Sequence, residues 1–218
     1  MKFYPYGEPV LSDDLLAPTE FLDFEHLSVQ SFVAEVTEGA QSDTERAIAL
    51  FNAVRDRIRY DIYSVSADPQ QYRASEVLSR GAAYCIPKAV LLAAVARAAG
   101  IPAVIGLSDV VNHFTTPKVE AAMGKDAVFL DHGYVAMYLD GKWIKAVPAF
   151  NAELCARMGV PPTEFDGRND ALLQQYDAKN NVRMRYLKDH GFWSDLPLRR
   201  ILDDFRSYYP NALFTLQA

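Results

Sequence analysis

The chain has 218 residues, of which 50% are hydrophobic, and a formal net charge of −6. A sizeable core is therefore expected, and the acidic balance excludes nucleic acid and anionic membrane surfaces as main partners. No stretch approaches the ~20 apolar residues of a membrane span, and residues 1–18 contain no apolar signal-peptide segment. The two cysteines, Cys85 and Cys155, argue against a disulfide scaffold and favour a reducing, cytoplasmic location.

The first half of the chain is predicted to be mainly helical. Residues 1–25 have the mixed composition of an extended arm or short strand, and a short helix is expected over residues 28–38, capped by Ser28. Ser42 and Glu45 form a capping-box pattern, which predicts the start of a longer helix. Two further helices are predicted over residues 74–79 and over residues 85–99, before Gly100 and Pro102.

Strands dominate the second half. Strands are predicted over residues 103–107, 134–139 and 142–147, and Asp140-Gly141 between the last two is a strong hairpin signal. The remaining predicted elements are a short helix over residues 151–158 closed by Gly159, a second hairpin of residues 172–176 and 182–187, and a helix from Pro197 to residue 208. Helices that precede antiparallel strands indicate an α+β fold rather than a doubly wound α/β sheet.

Cys85 is the strongest candidate for a catalytic residue. It follows a small-residue loop that begins at Gly81, and Pro87 is acceptable only in the first turn of a helix, so Cys85 is predicted at a helix N-terminus. Unpaired N–H groups and the helix dipole favour a thiolate there. His132 is expected at the start of a strand, where it can act as general base and later as acid, so the pair suits nucleophilic acyl transfer.

A family resemblance rests on these two segments. Residues 78–102, in which the Cys85 helix ends in Gly100-Ile101-Pro102, and the run from His132-Gly133-Tyr134 to Gly141-Lys142-Trp143 together resemble the transglutaminase-like superfamily. The resemblance covers residues 47–148 and implies a papain-like fold with Cys, His and Asp in this chain order. It implies that Cys85 is the nucleophile and His132 the base.

The domain organisation follows from the same resemblance. We expect one transglutaminase-like domain over residues 1–218, with an arm and helix in residues 1–40, a catalytic core in residues 42–150 and an extension in residues 151–218. The helical half should pack on an antiparallel sheet. No feature of the sequence indicates an oligomeric state.

The third member of the expected triad is missing from its usual place. The family has an aspartate four residues after the tryptophan, where this chain has Val147 before Pro148. If Asp140-Gly141 is a two-residue loop, Val147 and Asn151 are both diagonal neighbours of His132, about 7–8 Å away.

Asn151 is one candidate for the missing role. It could accept from the imidazole N–H, as asparagine does in papain-like proteases, or it could instead cap the helix that follows. Asp131 is a weaker candidate, because adjacent residues of a strand point to opposite faces.

Three further residues are candidates for the cleft. By resemblance Tyr60 could supply the second oxyanion donor, against a plain packing role, while Tyr84 and His113 could line the cleft. Cys155 is expected in the core. No histidine pair has metal-ligand spacing and no glycine-rich phosphate loop occurs, so neither a metal nor a nucleotide cofactor is expected.

The sequence therefore predicts cysteine-dependent acyl transfer on an amide of peptide or glutaminyl type. Hydrolysis through a thioester at Cys85 is preferred, because nothing suggests a site for an amine acceptor; the substrate would be a peptide, a protein or a small amide. The main alternative is a catalytically lapsed peptide-binding module, motivated by Val147. An arylamine-type acetyltransferase is a third interpretation, for which no donor site is legible.

Overall fold

The protein, described here by a computed structural model over residues 1–5, 7–112, 128–173 and 184–209, is built around a five-stranded sheet. Its strands are β1 (Phe3–Tyr4), β4 (Ala103–Asn112), β5 (Val128–Leu139), β6 (Lys142–Ala146) and β7 (Met184–Trp193). Two further short strands, β2 (Arg59–Tyr60) and β3 (Ala82–Ala83), form a separate parallel pair. The order is β1-β7-β4-β5-β6, and all neighbours are antiparallel. The α+β fold class is confirmed.

Helices supply the second layer. Within the described residues they are α1 (Leu27–Val36), α2 (Asp43–Arg57), α3 (Ala74–Arg80), α4 (Cys85–Ala98), α5 (Ala152–Met158) and α6 (Leu198–Tyr208). The centre is α4, which is buried from Cys85 to Arg97 and contacts the first three helices as well as β4 and β5. A helix that is apolar all round is expected to be buried in this way. Across the described ranges, no helix combines the length and the apolar character that a membrane span requires.

Helix starts agree with the sequence in part. Ser42 caps α2 by accepting the Glu45 N–H at 3.1 Å, while the Glu45 carboxylate accepts the N–H of Gln41 at 2.6 Å, one residue earlier than in a capping box. The predicted cap of α1 is wrong: His26, not Ser28, is the N-cap, because the His26 ring accepts the Ser28 N–H.

A buried lysine ties α4 to the end of α2. The Lys88 ammonium donates to the carbonyls of Arg55 at 2.8 Å and of Ile58 at 2.5 Å, groups that a helix C-terminus leaves unpaired. Burial lowers the pKa of Lys88 to about 7. The lysine therefore fixes the angle between the two helices with hydrogen bonds, while its charge is marginal at neutral pH.

The β5–β6 hairpin has the predicted register. Asp140 and Gly141 both have positive φ, 48° and 87°, as a two-residue hairpin loop of this twist requires. The strands before the loop are longer than predicted: β4 continues to Asn112, and β5 starts at Val128, so that His132 lies inside β5 rather than at its start. The extension arises because β4 pairs with β5 across a bulge and with β7 on its other side.

The β6 strand leaves the sheet earlier than predicted. It ends at Ala146, after which the Val147 N–H donates to the carbonyl of Ala171 at 2.9 Å. Pro148 has no N–H to offer the ladder. Among the described residues, the part of β5 that precedes Val135 therefore has no pairing strand on the β6 side. Of the predicted second hairpin, Leu172 and Leu173 lie outside any strand, residues 184–187 begin β7, which pairs with β4, and residues 174–183 lie outside the described residues.

Replacement of Lys88 by Met tests the buried lysine through pH. The pKa of Lys88 is lowered from 10.5 to about 7 in the folded protein. Between pH 7 and pH 10.5 the unfolded chain therefore binds one proton more than the folded chain, so the free energy of unfolding rises with pH across that window. The difference in unfolding free energy between wild type and Lys88→Met should therefore grow by about 2 kcal/mol from pH 7 to pH 9. Denaturant unfolding at both values measures it. Lys142→Met is the matched control, since Lys142 donates to a carbonyl at the surface. If the difference in unfolding free energy between wild type and Lys88→Met did not vary with pH, the assignment of a lowered pKa to Lys88 would be contradicted.

Candidate active site

Cys85 is the first residue of α4, as predicted. Tyr84 is the N-cap residue, its carbonyl accepts the N–H of Lys88 at 3.2 Å, and Pro87 lies in the first turn. Because Pro87 needs no hydrogen-bond acceptor there, the turn can begin directly after the loop. The local sequence thus places a thiol where a helix exposes its N–H groups.

The environment of the sulfur combines two opposing influences. Burial raises the pKa of the Cys85 thiol to about 11, whereas the backbone N–H groups of Gly133, Ile86 and Cys85 itself lower it. The expected thiolate at neutral pH is therefore not favoured in this closed arrangement, because desolvation outweighs the helix start. The thiol is protonated at pH 7.

Gly133 allows α4 to approach β5 this closely. A Cβ added at Gly133 would lie 2.9 Å from the Cα of Ile86 and 3.2 Å from the carbonyl oxygen of Cys85. These are backbone atoms, which cannot move aside cheaply. The first turn of α4 therefore packs directly against the backbone of β5 at Gly133.

His132 immediately precedes Gly133 and is therefore brought to the same end of α4. Its side chain is buried, with 3% of the residue exposed, and neither ring nitrogen has a hydrogen-bond partner among the described residues. Burial lowers the pKa of His132 to about 4, so the imidazole is neutral at pH 7 and able to accept a proton. The backbone of Cys85 thus lies close to that of Gly133, the residue after His132, and the pairing of the thiol with the imidazole stays a prediction.

Asn151 lies beside this region but bonds elsewhere. Its side-chain oxygen accepts the N–H of Tyr60 at 3.1 Å. Asn151 occupies the N-cap position of α5 without making a side-chain cap, and the Ala152 N–H is satisfied instead by Asp56 at 2.9 Å. Asn151 thus anchors β2 to the start of α5. Its predicted role in orienting His132 stays a prediction.

A small cavity adjoins the thiol. Its volume is about 30 Å³, room for about one water molecule. Besides Cys85, it is lined by Tyr60, Ile62, Val65, Tyr84, Phe129, Leu130, Phe205 and Tyr209. Burial raises the pKa values of Tyr60 and Tyr84 well above the usual range, so both hydroxyls keep their protons. The Tyr84 hydroxyl donates to that of Tyr72 at 3.0 Å. His113 lies outside the described residues.

The wall formed by α6 was not anticipated from the sequence. Phe205 and Tyr209 reach the Cys85 cavity, and the Tyr209 hydroxyl donates to the Val128 carbonyl at 2.8 Å while it accepts the Leu130 N–H at 2.7 Å. The apolar spacing of α6 predicts a buried face. It carries no information about which surface that face covers, so only the tertiary structure reveals this wall.

Asp131 anchors α6 at its other end. Its buried carboxylate accepts from the Arg200 guanidinium at 2.9 Å, and burial raises its pKa to about 6 despite that cation. Three potential metal ligands lie within 4.8 Å of one another: one carboxylate oxygen of Asp131, one of Asp109 and one ring nitrogen of His190. Arg200 already supplies the positive charge, and His190 hydrogen-bonds Asp109 at 2.8 Å. The cluster is best described as an ion-pair network that holds the α6 helix against β5.

The family match gives the class of the protein. In its α+β fold, Cys85 begins a buried helix that packs against the strand carrying His132, an arrangement compatible with nucleophilic chemistry at sulfur. The family model of the transglutaminase-like superfamily matches residues 30–148, and the chain belongs to this superfamily. No curated protein matches the chain.

Two solved structures of low sequence identity align with parts of this chain. One from Cytophaga hutchinsonii, described as a candidate cysteine protease, is 15% identical with a TM-score of 0.48. Another from Parabacteroides distasonis, described as a candidate protease, is 19% identical with a TM-score of 0.41. They cover 81% and 61% of this chain, which in turn spans 53% and 25% of their lengths.

Removal of the α6 wall should expose the thiol. In Phe205→Ala, water enters the cavity, so the burial that raises the pKa of Cys85 weakens and alkylation by iodoacetamide at pH 7 should accelerate by about tenfold or more. Leu202→Ala is the matched control, because Leu202 is buried on the same helix but does not line the cavity. Peptide mapping by mass spectrometry gives the rate at Cys85. Equal rates in the two variants would show that Phe205 does not shield the sulfur.

Proposed function

We propose that this protein is a cysteine-dependent acyl-transfer enzyme that acts on an amide, with Cys85 as nucleophile and His132 as base. The sulfur attacks the carbonyl carbon while its proton passes to the imidazole, and the imidazolium then protonates the leaving amine. Water hydrolyses the thioester, which returns Cys85 as a thiol. The observation that carries this proposal is the docking of the α4 N-terminus on Gly133, the residue after a neutral His132 whose ring nitrogens have no hydrogen-bond partner among the described residues.

Groups that could stabilise the oxyanion are available at the same place. The backbone N–H groups of Cys85 and Ile86 belong to the first turn of α4, which has no intrahelical use for them. Tyr60 lines the cavity with a protonated hydroxyl, which makes it the candidate for a second donor. Its ring stands edge-on to Phe150 with centroids 4.9 Å apart, so its position is fixed by packing.

The cavity favours an apolar or aromatic group of the substrate next to the reacting carbonyl. Its described lining consists of aromatic and aliphatic side chains apart from Cys85 and the tyrosine hydroxyls. A peptide is too large for about 30 Å³, so productive binding requires α6 to yield or its side chains to rotate. Hydrolysis is preferred over transamidation, because no second acceptor site adjoins the sulfur in the described residues.

A catalytically lapsed peptide-binding module is the second candidate. Val147 stands at the usual aspartate position, and nothing in the described residues hydrogen-bonds the His132 ring. A histidine without an orienting partner can cost about 10⁴ in turnover. Accumulation of a covalent acyl group on Cys85 separates the two candidates, because a lapsed module would not form it.

Alkylation kinetics test the thiol directly. The rate at which iodoacetamide alkylates Cys85 should rise about tenfold per pH unit from pH 7 to pH 9, because its thiol pKa is about 11. Isotope-coded iodoacetamide and peptide mapping measure both cysteines in one sample. A Cys85 rate that stopped rising below pH 9 would contradict the buried, protonated thiol.

An acyl-enzyme experiment tests turnover. With p-nitrophenyl acetate, the wild type should acquire one acetyl group on Cys85 and then lose it to water, whereas Cys85→Ala should release no more p-nitrophenol than the uncatalysed background. Cys155→Ala is the control for loss of a buried cysteine elsewhere and should keep the activity. Intact-protein mass spectrometry follows the adduct. Absence of an adduct on Cys85 in the wild type would favour the binding module.

A further inference from the structure

Three side chains lie in a row across the centre of the sheet. Ser108 on β4 is the Cα partner of His132 on β5 and, on its other side, of Asp189 on β7. Residues directly opposite in antiparallel strands share a face, and their Cβ atoms lie about 4.5–5.5 Å apart. Ser108 therefore stands between the imidazole and a carboxylate.

Contacts on that face confirm that Asp189 belongs to it. The ring of Tyr134, two residues after His132, crosses Gly106, and its hydroxyl donates to both carboxylate oxygens of Asp189 at 3.0 Å. Ser108, Tyr134 and Asp189 also line one cleft. The order across the sheet is therefore imidazole, hydroxyl and carboxylate.

The atoms that would join this row are without partners. Six buried side-chain nitrogen and oxygen atoms of the described residues lack a hydrogen bond, and three of them belong to the neighbours Ser108 and His132. Buried unsatisfied polar atoms are costly, at about 1–3 kcal/mol each. A change in the Ser108 and His132 side-chain rotamers would satisfy the hydroxyl and one ring nitrogen together.

The carboxyl group of Asp189 is suited to carry the negative charge at the end of this row. Burial opposes its ionisation, but hydrogen bonds from the Lys145 ammonium at 2.8 Å and the Gly191 N–H at 2.9 Å outweigh it, and the pKa of the carboxyl lies below its usual value. The carboxylate is therefore ionised at neutral pH, with lone pairs to accept another donor.

We propose that Ser108 and Asp189 replace the aspartate that the family carries at the Val147 position: Ser108 accepts the imidazole N–H of His132 and donates its own proton to the Asp189 carboxylate. This assignment deepens the proposed function and rests on it. Ser108 and Asp189 are positioning residues, since neither touches the reacting atoms.

The chemistry of the relay needs no further proton transfer. When the Cys85 S–H bond breaks, its proton forms an N–H bond on the ring nitrogen nearer the sulfur, and the electron pair stays on sulfur. The other ring nitrogen keeps its proton and donates to Ser108. Because the Ser108 hydroxyl donates its proton to Asp189, the lone pairs of the serine oxygen are oriented toward the imidazolium.

Two readouts test the relay on the full chain. In the wild type, ¹⁵N chemical shifts should show one His132 ring nitrogen fully protonated and the other bare, whereas Ser108→Ala should give intermediate shifts from a mixture of tautomers. The rate of Cys85 alkylation by iodoacetamide at pH 7 should fall about tenfold in Ser108→Ala, the equivalent of one unit in pKa. Ser108→Thr, which keeps a hydroxyl, should restore both.

Matched variants separate the relay from general damage. Asp189→Asn should reproduce the Ser108→Ala effects, and the double variant should lose no more than either single one, since the residues act in series. Ser194→Ala removes another buried serine hydroxyl and Asp170→Asn another carboxylate near Lys145, and both should behave as wild type. Unchanged tautomers or an unchanged alkylation rate in Ser108→Ala would overturn the relay.

The outcomes also distinguish the relay from the proposed function. If wild-type Cys85 formed no acyl adduct while the His132 tautomer still depended on Ser108, the enzyme assignment would fail and the positioning role would stand. If Ser108→Ala did not fold, Asp189→Asn would carry the test, because Asp189 is half-exposed. A single His132 tautomer in Asp189→Asn would then overturn the proposal.

Discussion

The contact between the first turn of α4 and the backbone of β5 at Gly133 is the constraint on which the candidate site depends. It requires a glycine, since a Cβ would meet the backbone of Ile86 and Cys85. The contact brings a helix N-terminus, with its thiol, to the residue that follows His132.

Burial then determines the protonation of both groups. The pKa of Cys85 is raised to about 11 and that of His132 is lowered to about 4, so the site rests as a neutral thiol and a neutral imidazole rather than as an ion pair. Desolvation dominates because α6 closes the cavity with Phe205 and Tyr209. Admission of water would move both pKa values back toward their usual ranges, so the access of water and the ionisation of the thiol are coupled through one wall.

Two carboxylates flank His132 and are used differently. Asp131, next in sequence, is buried against Arg200 and secures α6, whereas Asp189 lies across β4 and is held ionised by Lys145. The difference arises from side-chain direction: adjacent residues of a strand diverge, while partners across strands share a face. The carboxylate close in sequence therefore serves the fold, and the distant one is in register with the imidazole through Ser108.

Local sequence determined the helix that begins at Cys85, the Ser42 cap and the Asp140-Gly141 hairpin with its register, because short-range backbone chemistry decides each of them. The resemblance to the superfamily rested on those same elements. The extension of β5 before His132, the burial of the thiol under α6 and the row from His132 to Asp189 were decided by tertiary structure alone. They depend on strand pairing and helix docking between residues far apart in sequence, and the hydrophobic periodicity of the sequence does not indicate which elements pair or dock.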